Sequence, residues 1–211
     1  MANYKPRSYR SNSHSRLAIF VDAWNLKNAA FDGLGMRVDF TKLLDHLSNG
    51  ALLIRAYYYT GEWTRDSIES YLQVSGKDQQ TRESLEEQLR ADRGFWRFLS
   101  RNGYKVVKKP VRVFRDRAGE IALKADLDLE LTIDMLTLAD RCDEQILVSG
   151  DGDFVPLLNA VAAKGVRLTV VSTQSDQARS SANYRSSDEL LDAADRFIDL
   201  ESIRPQIERV T

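Results

Sequence analysis

The second half of the chain alternates predicted helices with short apolar strands, and only short segments join them. A helix at residues 125–140 is followed by a strand at 144–148, and a helix at 154–164, which Gly165 ends, is followed by a strand at 166–171. Continuous aliphatic runs are typical of strands that are buried on both faces. Alternation of this kind predicts a parallel sheet covered by helices. We therefore expect an α/β fold whose functional residues gather at the carboxyl ends of the strands.

The first half of the chain continues this pattern less regularly. Residues 17–21 and 52–59 are apolar runs that predict strands. Residues 60–80 are polar without a long periodic pattern, which predicts a loop or insertion containing at most a short helix. The other predicted elements are helices at 40–47, 81–100 (with a break near Gly94 left open) and 187–194, a hairpin with arms at 104–114 and 120–123, and a final strand at 196–200.

The length of the chain, 211 residues, predicts one substantial domain. We expect a disordered basic tail at residues 1–16, the domain at 17–203 and a C-terminal tail at 204–211. A single cysteine and two histidines exclude an internal disulfide framework and a typical Cys/His zinc site. Because no apolar run approaches the ~20 residues of a membrane span and the N-terminus does not resemble a secretory signal, we expect a cytoplasmic protein with no membrane partner.

Two aspartates stand in the turn Ser149-Gly150-Asp151-Gly152-Asp153, directly after an apolar strand. Two carboxylates this close repel each other, which raises a pKa unless a cation such as Mg²⁺ or Mn²⁺ relieves the repulsion. The alternative is purely structural: Asp153 caps the following helix and Asp151 is a turn residue. The turn alone does not decide between a metal site and a helix cap.

A second strand end carries an acid of the same kind. Asp22 closes the predicted strand at 17–21, and Asn25 follows three residues later. If this strand pairs with the one before Asp151, the two carboxylates become neighbours at one edge of the sheet. Asn25 is either a turn residue or an amide that holds carboxylates, water or phosphate.

The helix predicted at 125–140 supplies further acids. Its leucines form one apolar stripe, and Asp128 and Asp134 fall on the two flanks of that stripe, whereas Asp126 and Glu130 lie further round and are expected at the surface. Asp128 is alternatively a residue that stabilises the helix N-terminus, and Asp134 a buried hydrogen-bonded acid. Which of the helix aspartates contributes most to a metal site stays open.

These acids occur without the parts of other catalytic designs. The sequence contains no evident histidine base, no nucleophilic serine with partners and no glycine-rich phosphate loop. Several aspartates around a divalent cation can lower the pKa of a bound water and polarise a phosphoryl oxygen. The pattern favours metal-dependent phosphodiester hydrolysis with Mg²⁺ or Mn²⁺ rather than zinc.

A basic segment between residues 101 and 124 suggests the substrate. It contains eight Lys and Arg against two acids, a local net charge of +6. Alternation along the predicted hairpin would place many of these charges on one face, suited to the phosphates and bases of a single-stranded nucleic acid. The alternative is a solvated edge hairpin whose charges prevent aggregation. The candidate RNA-binding residues are Lys105, Lys108, Lys109, Arg112, Arg115, Arg117 and Lys124.

The chain resembles the NYN domain family, the LabA-like branch of the PIN-like nuclease superfamily, over residues 17 to about 203. The resemblance implies a three-layer α/β/α, Rossmann-like fold with a mostly parallel sheet, interrupted here by an inserted basic hairpin, and metal-dependent RNA cleavage. It rests on Phe20-Val21-Asp22 followed by Asn25-Leu26, on Asp128 and Asp134, on Val148-Ser149-Gly150-Asp151-Gly152-Asp153-Phe154-Pro156-Leu157, on Gly165-Val166, and on Leu190-Leu191 through Ala194-Asp195-Phe197-Ile198. By this resemblance the metal-binding and catalytic acids are Asp22, Asp128, Asp151 and Asp153, with Asn25, Asp134 and Ser149 in support.

The sequence thus predicts a ribonuclease that acts on single-stranded RNA. A regulatory NYN module that binds RNA or protein without turnover is the main alternative, and a homodimer or a protein partner also stays open. A phosphatase of the haloacid dehalogenase type ranks third. That chemistry requires an aspartate two residues after the nucleophilic one, whereas Trp24 stands at that position after Asp22.

Overall fold

The strands of this protein are seen in a computed structural model that describes residues 15–174 and 185–210. Six of them form the central sheet and two form a separate ribbon. In chain order the described strands are β1 (Arg16–Asp22), β2 (Leu52–Glu62), β3 (Tyr104–Pro110), β4 (Arg112–Arg115), β5 (Ile121–Lys124), β6 (Glu144–Val148), β7 (Arg167–Ser172) and β8 (Arg196–Asp199).

The helices mostly start at polar residues whose side chains accept from free backbone N–H groups. Asp39 and Asp78 do so for the second and fourth helices, as is typical of N-caps. The helices are α1 (Ala23–Lys27), α2 (Phe40–Ser48), α3 (Arg65–Ser75), α4 (Gln79–Arg101), α5 (Asp128–Ala139), α6 (Val155–Ala162), α7 (Asp188–Asp192) and α8 (Arg204–Ile207). A π-helical segment, Asn28–Gly33, continues α1, and a 3₁₀ turn, Gly152–Phe154, precedes α6.

The central sheet has the order β3-β2-β1-β6-β7-β8, and every neighbouring pair is parallel. The chain moves outward from β1 to β3 and then crosses back to build the other half beyond β1. The order therefore reverses between β1 and β6. In open parallel sheets this switch point opens a crevice at the carboxyl ends of the strands. Asp22 ends β1 at that crevice, and Ser149 follows the end of β6 there.

Helices cover both faces of the sheet, so the prediction of a three-layer α/β/α fold is confirmed. Alternation along β1 sends Ile19 to the core beneath α2 and α4, and Phe20 to the core beneath α5 and α6. Met36 and Leu99 are fully buried in the first core, and Leu158 is fully buried in the second. Both faces of the central strands are buried beneath helices, which explains their continuous apolar sequence.

The region predicted as a loop at residues 60–80 is more regular than expected. Strand β2 continues to Glu62, and α3 fills most of the rest. Thr64 caps α3, Gly76 ends it with a left-handed φ of 66°, and Ile68 anchors it with a buried side chain. One buried aliphatic residue per few turns is too weak a pattern to predict a helix. The open break at Gly94 does not occur, because α4 runs unbroken through this exposed position.

The predicted hairpin with an arm at 104–114 is confirmed for residues 112–114 and wrong for residues 104–110. Strand β3 is the edge strand of the main sheet and pairs in parallel with β2 along its whole length. Pro110, which has no N–H to donate, is its last residue. Only β4 and β5 form the antiparallel ribbon.

The first and last elements that the structure describes lie slightly outside the predicted limits of the domain. Strand β1 starts at Arg16, and residues 1–14 of the predicted basic tail lie outside the described residues. The predicted C-terminal tail instead contains α8, because Ile203 and Ile207, one helical turn apart, are both buried in the core. Among the described residues no helix is both long and apolar enough to cross a bilayer.

Candidate active site

The carboxylate of Asp22 is fixed by hydrogen bonds at the point where β1 turns into α1. Its Oδ1 accepts from the backbone N–H groups of Trp24 (3.1 Å) and Asn25 (3.2 Å), and its Oδ2 accepts from Asn25 Nδ2 at 2.7 Å. Asp22 therefore caps α1 as well as closing β1. Burial raises the pKa of Asp22, and the hydrogen bonds from Asn25 oppose that rise.

Ser149 links this strand end to the next one. Its Oγ donates to Asp22 Oδ2 at 3.3 Å and accepts the backbone N–H of Asp151 at 3.2 Å. One hydroxyl thus ties the carboxyl end of β1 to the turn after β6. The expectation that Asp22 and Asp151 become neighbours agrees with this geometry, because β1 and β6 pair directly.

Asp151, not Asp153, is the capping residue of the turn. Asp151 has extended backbone angles (φ −80°, ψ 120°), and its Oδ1 accepts the backbone N–H of Asp153 at 2.9 Å. Asp153 is the second residue of the 3₁₀ turn, and the cap of that turn is Asp151. Its side chain is exposed and does not line the cleft described below.

The two glycines of the turn are there because neighbouring serines approach closely. A Cβ at Gly150 would lie 2.7 Å from Ser172 Oγ, and one at Gly152 would lie 2.8 Å from Ser187 Oγ. The carbonyl of Gly150 also accepts the backbone N–H of Ser187 at 3.2 Å. The turn that carries Asp151 is therefore packed against the segment that precedes α7.

Asp128 brings a third carboxylate from a different element. It is the first residue of α5, and its backbone N–H donates to Asp126 Oδ1 at 3.3 Å. Burial, followed by the negative charges of Asp126, Asp22 and Asp151, raises the pKa of Asp128 to about 6. The three predicted acids Asp22, Asp128 and Asp151 thus share one electrostatic environment.

These side chains form the acidic end of a cleft with a volume of about 720 Å³. Its wall includes the acids Asp22, Asp126, Asp128 and Asp151 together with Asn25, and the cations Lys27, Arg37 and Lys124. A further acid, Asp92, and several aliphatic residues also line the cleft, together with eight aromatic residues: Trp24, Phe31, Phe40, Tyr58, Tyr59, Trp63, Phe95 and Trp96.

Asp134 lies away from the acids at the cleft. Its Oδ2 accepts the hydroxyl of Tyr59 at 3.0 Å, and this carboxylate raises the pKa of Tyr59 further above its ordinary value than burial alone does. Asp134 is thus a partly buried acid that is hydrogen-bonded to a tyrosine, as the structural alternative for this residue describes. Any support it gives to the acids is indirect, through Tyr59, which stands beside Asp22 in the strand pairing.

The donor set of the cleft fits a hard divalent cation. All of its acidic ligand atoms are carboxylate oxygens, which Mg²⁺ and Mn²⁺ prefer. Within residues 15–174 and 185–210, no three His, Cys, Asp or Glu side chains stand close enough together to enclose a metal ion as they are. A cation here would therefore rest on one or two carboxylates at a time and keep water in its remaining positions, as Mg²⁺ commonly does.

The predicted RNA-binding residues are divided between two elements. The three lysines 105, 108 and 109 lie on β3, whereas the arginines and Lys124 lie on the β4–β5 ribbon or its turn. The prediction of a single basic hairpin face is wrong for this reason. Lys108 pairs with Glu62 at 3.1 Å, and Lys109 with Glu130 at 2.8 Å, which reduces the charge available to a ligand.

The ribbon itself keeps exposed positive charge. Arg112 and Arg117 are exposed, whereas Arg115 donates to the backbone carbonyls of Gly119 (2.7 Å) and Val74 (2.8 Å). Lys124 pairs with Asp126 at 2.7 Å and lines the cleft. The ribbon therefore brings one of its cations to the acidic end of the cleft.

Sequence reasoning missed the aromatic wall formed by α1 and its π-helical continuation. Trp24 is 69% exposed and Phe31 is 48% exposed, and both line the cleft. They are seven residues apart, about two helical turns, so they fall on one face. That spacing, directly after Asp22, was the available signal.

Comparison with known proteins agrees with this architecture. The NYN domain family matches residues 16–201. The chain is 35% identical over 199 residues to the low amplitude and bright protein LabA of Synechococcus elongatus, covering 92% of this chain and 89% of LabA.

A solved structure supports the fold independently. The crystal structure of a protein of unknown function from Vibrio parahaemolyticus superposes with a TM-score of 0.62 at 22% identity, covering 91% of this chain and 96% of that one. At this identity the likeness concerns the fold alone. The sequence match over nearly the whole domain and the relationship to LabA show that the chain belongs to the NYN domain family, in its LabA-like branch.

Proposed function

We propose that this protein is a ribonuclease that hydrolyses phosphodiester bonds of single-stranded RNA with the help of Mg²⁺ or Mn²⁺. The observation that carries the proposal is the meeting of Asp22, Asp128 and Asp151 at one end of a cleft, at the switch point of a parallel sheet. Burial first, and then the charges of Asp126, Asp22 and Asp151, raise the pKa of Asp128, and a bound cation would relieve that repulsion. NYN domains are related to PIN-like nucleases, which adds the reaction class.

In this proposal one or two of the carboxylates of Asp22, Asp128 and Asp151 bind the cation at a time, and water fills its remaining positions. A divalent ion bound there would lower the pKa of a coordinated water and polarise a phosphoryl oxygen. Asp153, exposed beside Asp151, contributes negative charge outside the cleft wall and hydrogen bonds to outer water. Asp134 acts on the acids only through Tyr59.

Neighbouring residues keep the acids oriented. Asn25 and Ser149 both donate to Oδ2 of Asp22, which favours its ionised form against the cost of burial. The same hydroxyl of Ser149 accepts the N–H of Asp151, so the two strand ends move as a unit. Outer hydrogen bonds of this kind commonly matter 10- to 100-fold for metal affinity or activity.

The basic ribbon is the proposed entry surface for RNA. Exposed Arg112 and Arg117 attract phosphates, and Lys124 continues the positive charge to the cleft. The lysines on β3, 105, 108 and 109, contribute weaker attraction, because two of them are paired with glutamates. Arg115 supports the ribbon through its hydrogen bonds to backbone carbonyls.

A binding module without turnover is the second candidate. It is favoured by one observation: the carboxylate of Asp22 already accepts four hydrogen bonds, and no ready-made cage of three acids exists in the described part of the chain. In this alternative the cleft binds RNA or a protein segment, and the acids serve the fold.

Incubation of the purified protein with end-labelled single-stranded RNA separates the two functions. We expect cleavage with Mn²⁺ or Mg²⁺, none with a chelator, and none with Asp151→Asn, whereas binding of RNA persists in that variant. Asp140→Asn is the matched control, because Asp140 is an exposed acid at the opposite end of α5. Intact RNA across varied sequences with either metal would favour the binding module. Full activity of Asp151→Asn would contradict the proposed nuclease site.

A further inference from the structure

An exposed tryptophan stands directly beside the acidic end of the cleft. Trp24 is 69% exposed, the largest exposed fraction among the aromatic side chains of the described residues. Leu26 is the buried residue of α1, so the ring of Trp24 adds little to the core. A single exposed apolar residue is ordinary, but Phe31 is also exposed and lines the same wall of the cleft. The two rings make an aromatic surface that folding does not require.

Each ring carries a cation at its face. Lys27 Nζ lies 5.5 Å from the ring of Trp24, and the Arg37 guanidinium lies 6.0 Å from the ring of Phe31. Lys27 is also 2.8 Å from Asp32, so part of its charge is balanced. Paired aromatic rings and cations are the arrangement with which proteins bind bases and phosphates of single strands.

The other tryptophans of the cleft have packing partners that Trp24 lacks. Trp63 packs edge-on against Tyr71 with ring centroids 5.8 Å apart, and Trp96 is buried with Lys108 over its ring. Among the described residues, no aromatic ring packs against Trp24. With Lys27 over one part of the ring, most of the ring surface is still exposed and accessible to a planar group.

The backbone of Trp24 is held directly beside the acids. The N–H of Trp24 donates to Asp22 Oδ1 at 3.1 Å, so the residue that presents the ring also holds the carboxylate. Both residues line the same cleft as Asp128 and Asp151. A base on Trp24 would lie next to a phosphate at the acids.

We propose that Trp24 is a stacking platform for one nucleobase of the single-stranded substrate, with Lys27 and Arg37 contacting the adjoining phosphates. Phe31 extends the platform along the cleft wall. This inference rests on the proposed function of the same cleft, and it names the surface that sets the position of the strand. Stacking tolerates every base, so the platform positions the strand without reading its sequence.

Abasic substitution tests the platform separately from cleavage. Binding of a short oligoribonucleotide is measured in a chelator, and single abasic nucleotides are placed at each position in turn. In the unaltered protein we expect one position where loss of the base weakens binding about 5- to 100-fold, the range of one stacked base. In Trp24→Ala, the intact strand is expected to bind as weakly as the abasic one, and the abasic effect at that position vanishes. Trp24→Phe is expected to restore most of the effect.

Phe98→Ala is the matched control, because Phe98 is 45% exposed but does not line the cleft. An unchanged abasic effect in Trp24→Ala would overturn the platform. So would a uniform loss of affinity at every position, which would indicate a contact other than stacking. If the abasic effect disappears in Trp24→Ala but no metal-dependent cleavage occurs, the platform is supported and the nuclease proposal fails. If cleavage occurs and Trp24→Ala leaves binding unchanged, only the platform fails.

Discussion

The side-chain amide of Asn25 donates a 2.7 Å hydrogen bond to Oδ2 of Asp22, the oxygen that also accepts the hydroxyl of Ser149. This contact joins the first turn of α1 to the acid that ends β1. Burial raises the pKa of Asp22, and the amide lowers it. Asn25 therefore helps to keep a buried carboxylate ionised and correctly oriented, which is what a cation site needs.

Replacement of this amide is the first prediction. Asn25→Ala is expected to reduce Mn²⁺ affinity and cleavage about 10- to 100-fold, the usual effect of an outer-sphere contact on a metal site. Mn²⁺ titration followed by paramagnetic resonance measures the affinity directly. Asn25→Asp is expected to bind Mn²⁺ at least as weakly as Asn25→Ala, because it replaces a hydrogen-bond donor with a negative charge that repels Asp22. Undiminished affinity in Asn25→Ala would separate this contact from the site.

The pKa of Asp128 predicts how the acids affect stability in the absence of metal. Burial and neighbouring carboxylates raise it to about 6 in the folded protein, against about 4 in an unfolded chain. The folded state thus holds this proton more tightly. Its contribution to the free energy of unfolding is complete below about pH 4 and is lost as the pH rises through about 6.

Asp128→Asn should therefore change the free energy of unfolding more favourably at pH 7.5 than at pH 4.5. We expect a difference on the order of 1 kcal/mol, because the side chain opens to the cleft and solvent screens much of the repulsion. Urea unfolding in chelator at both pH values measures it, with Asp140→Asn as the control at the other end of α5. A pH-independent effect of Asp128→Asn would contradict a raised pKa of Asp128 in the folded protein.

Gly150 provides a test of how closely the turn of Asp151 is packed. An added Cβ would meet Ser172 Oγ at 2.7 Å, so Gly150→Ala is expected to destabilise the protein by about 1–3 kcal/mol and to reduce cleavage. Adding Ser172→Ala removes that oxygen. The double variant is therefore expected to recover part of both losses, because Ser186 Oγ would still lie 3.2 Å from the added Cβ. Thermal unfolding and RNA cleavage are the two measurements, and the absence of recovery would place the conflict elsewhere.

The exposed arginines of the ribbon predict the salt dependence of RNA binding. Arg112→Gln and Arg117→Gln should each reduce the slope of log affinity against log salt by about 0.7, the value for one phosphate contact on a single strand. Binding is measured in chelator over a range of salt. Arg141→Gln is the control, because this exposed residue precedes β6 and therefore lies at the amino ends of the strands, away from the cleft. An equal change of the slope in Arg141→Gln would show that the effect arises from net charge and not from a phosphate contact of the ribbon.

The sequence predicted the sheet and its acids because buried parallel strands leave a strong local pattern. Ile146, Leu147 and Val148 are all buried, and the turn after them carries Asp151. The parallel order placed Asp22 beside that turn, since β1 and β6 are neighbours. Those two features depend only on short-range patterns and on the general geometry of parallel sheets.

The errors occurred where tertiary contacts override local pattern. The segment 104–110 alternates like a hairpin arm, but pairing with β2 makes it an edge strand. Ile207 is one buried residue in a polar stretch, so only the surrounding core explains α8. The spacing of Trp24 and Phe31 after Asp22 is a weak signal of exposed rings, because aromatic residues near a strand end also pack in cores.

The most direct test of the cation site is anomalous diffraction from crystals containing Mn²⁺. We predict a manganese peak at the acidic end of the cleft, in contact with the carboxylate of Asp151 and at least one of Asp22 and Asp128. The peak should be lost in Asp151→Asn. Crystals that hold Mn²⁺ elsewhere but show no peak at these three aspartates, from protein that cleaves RNA, would contradict the account.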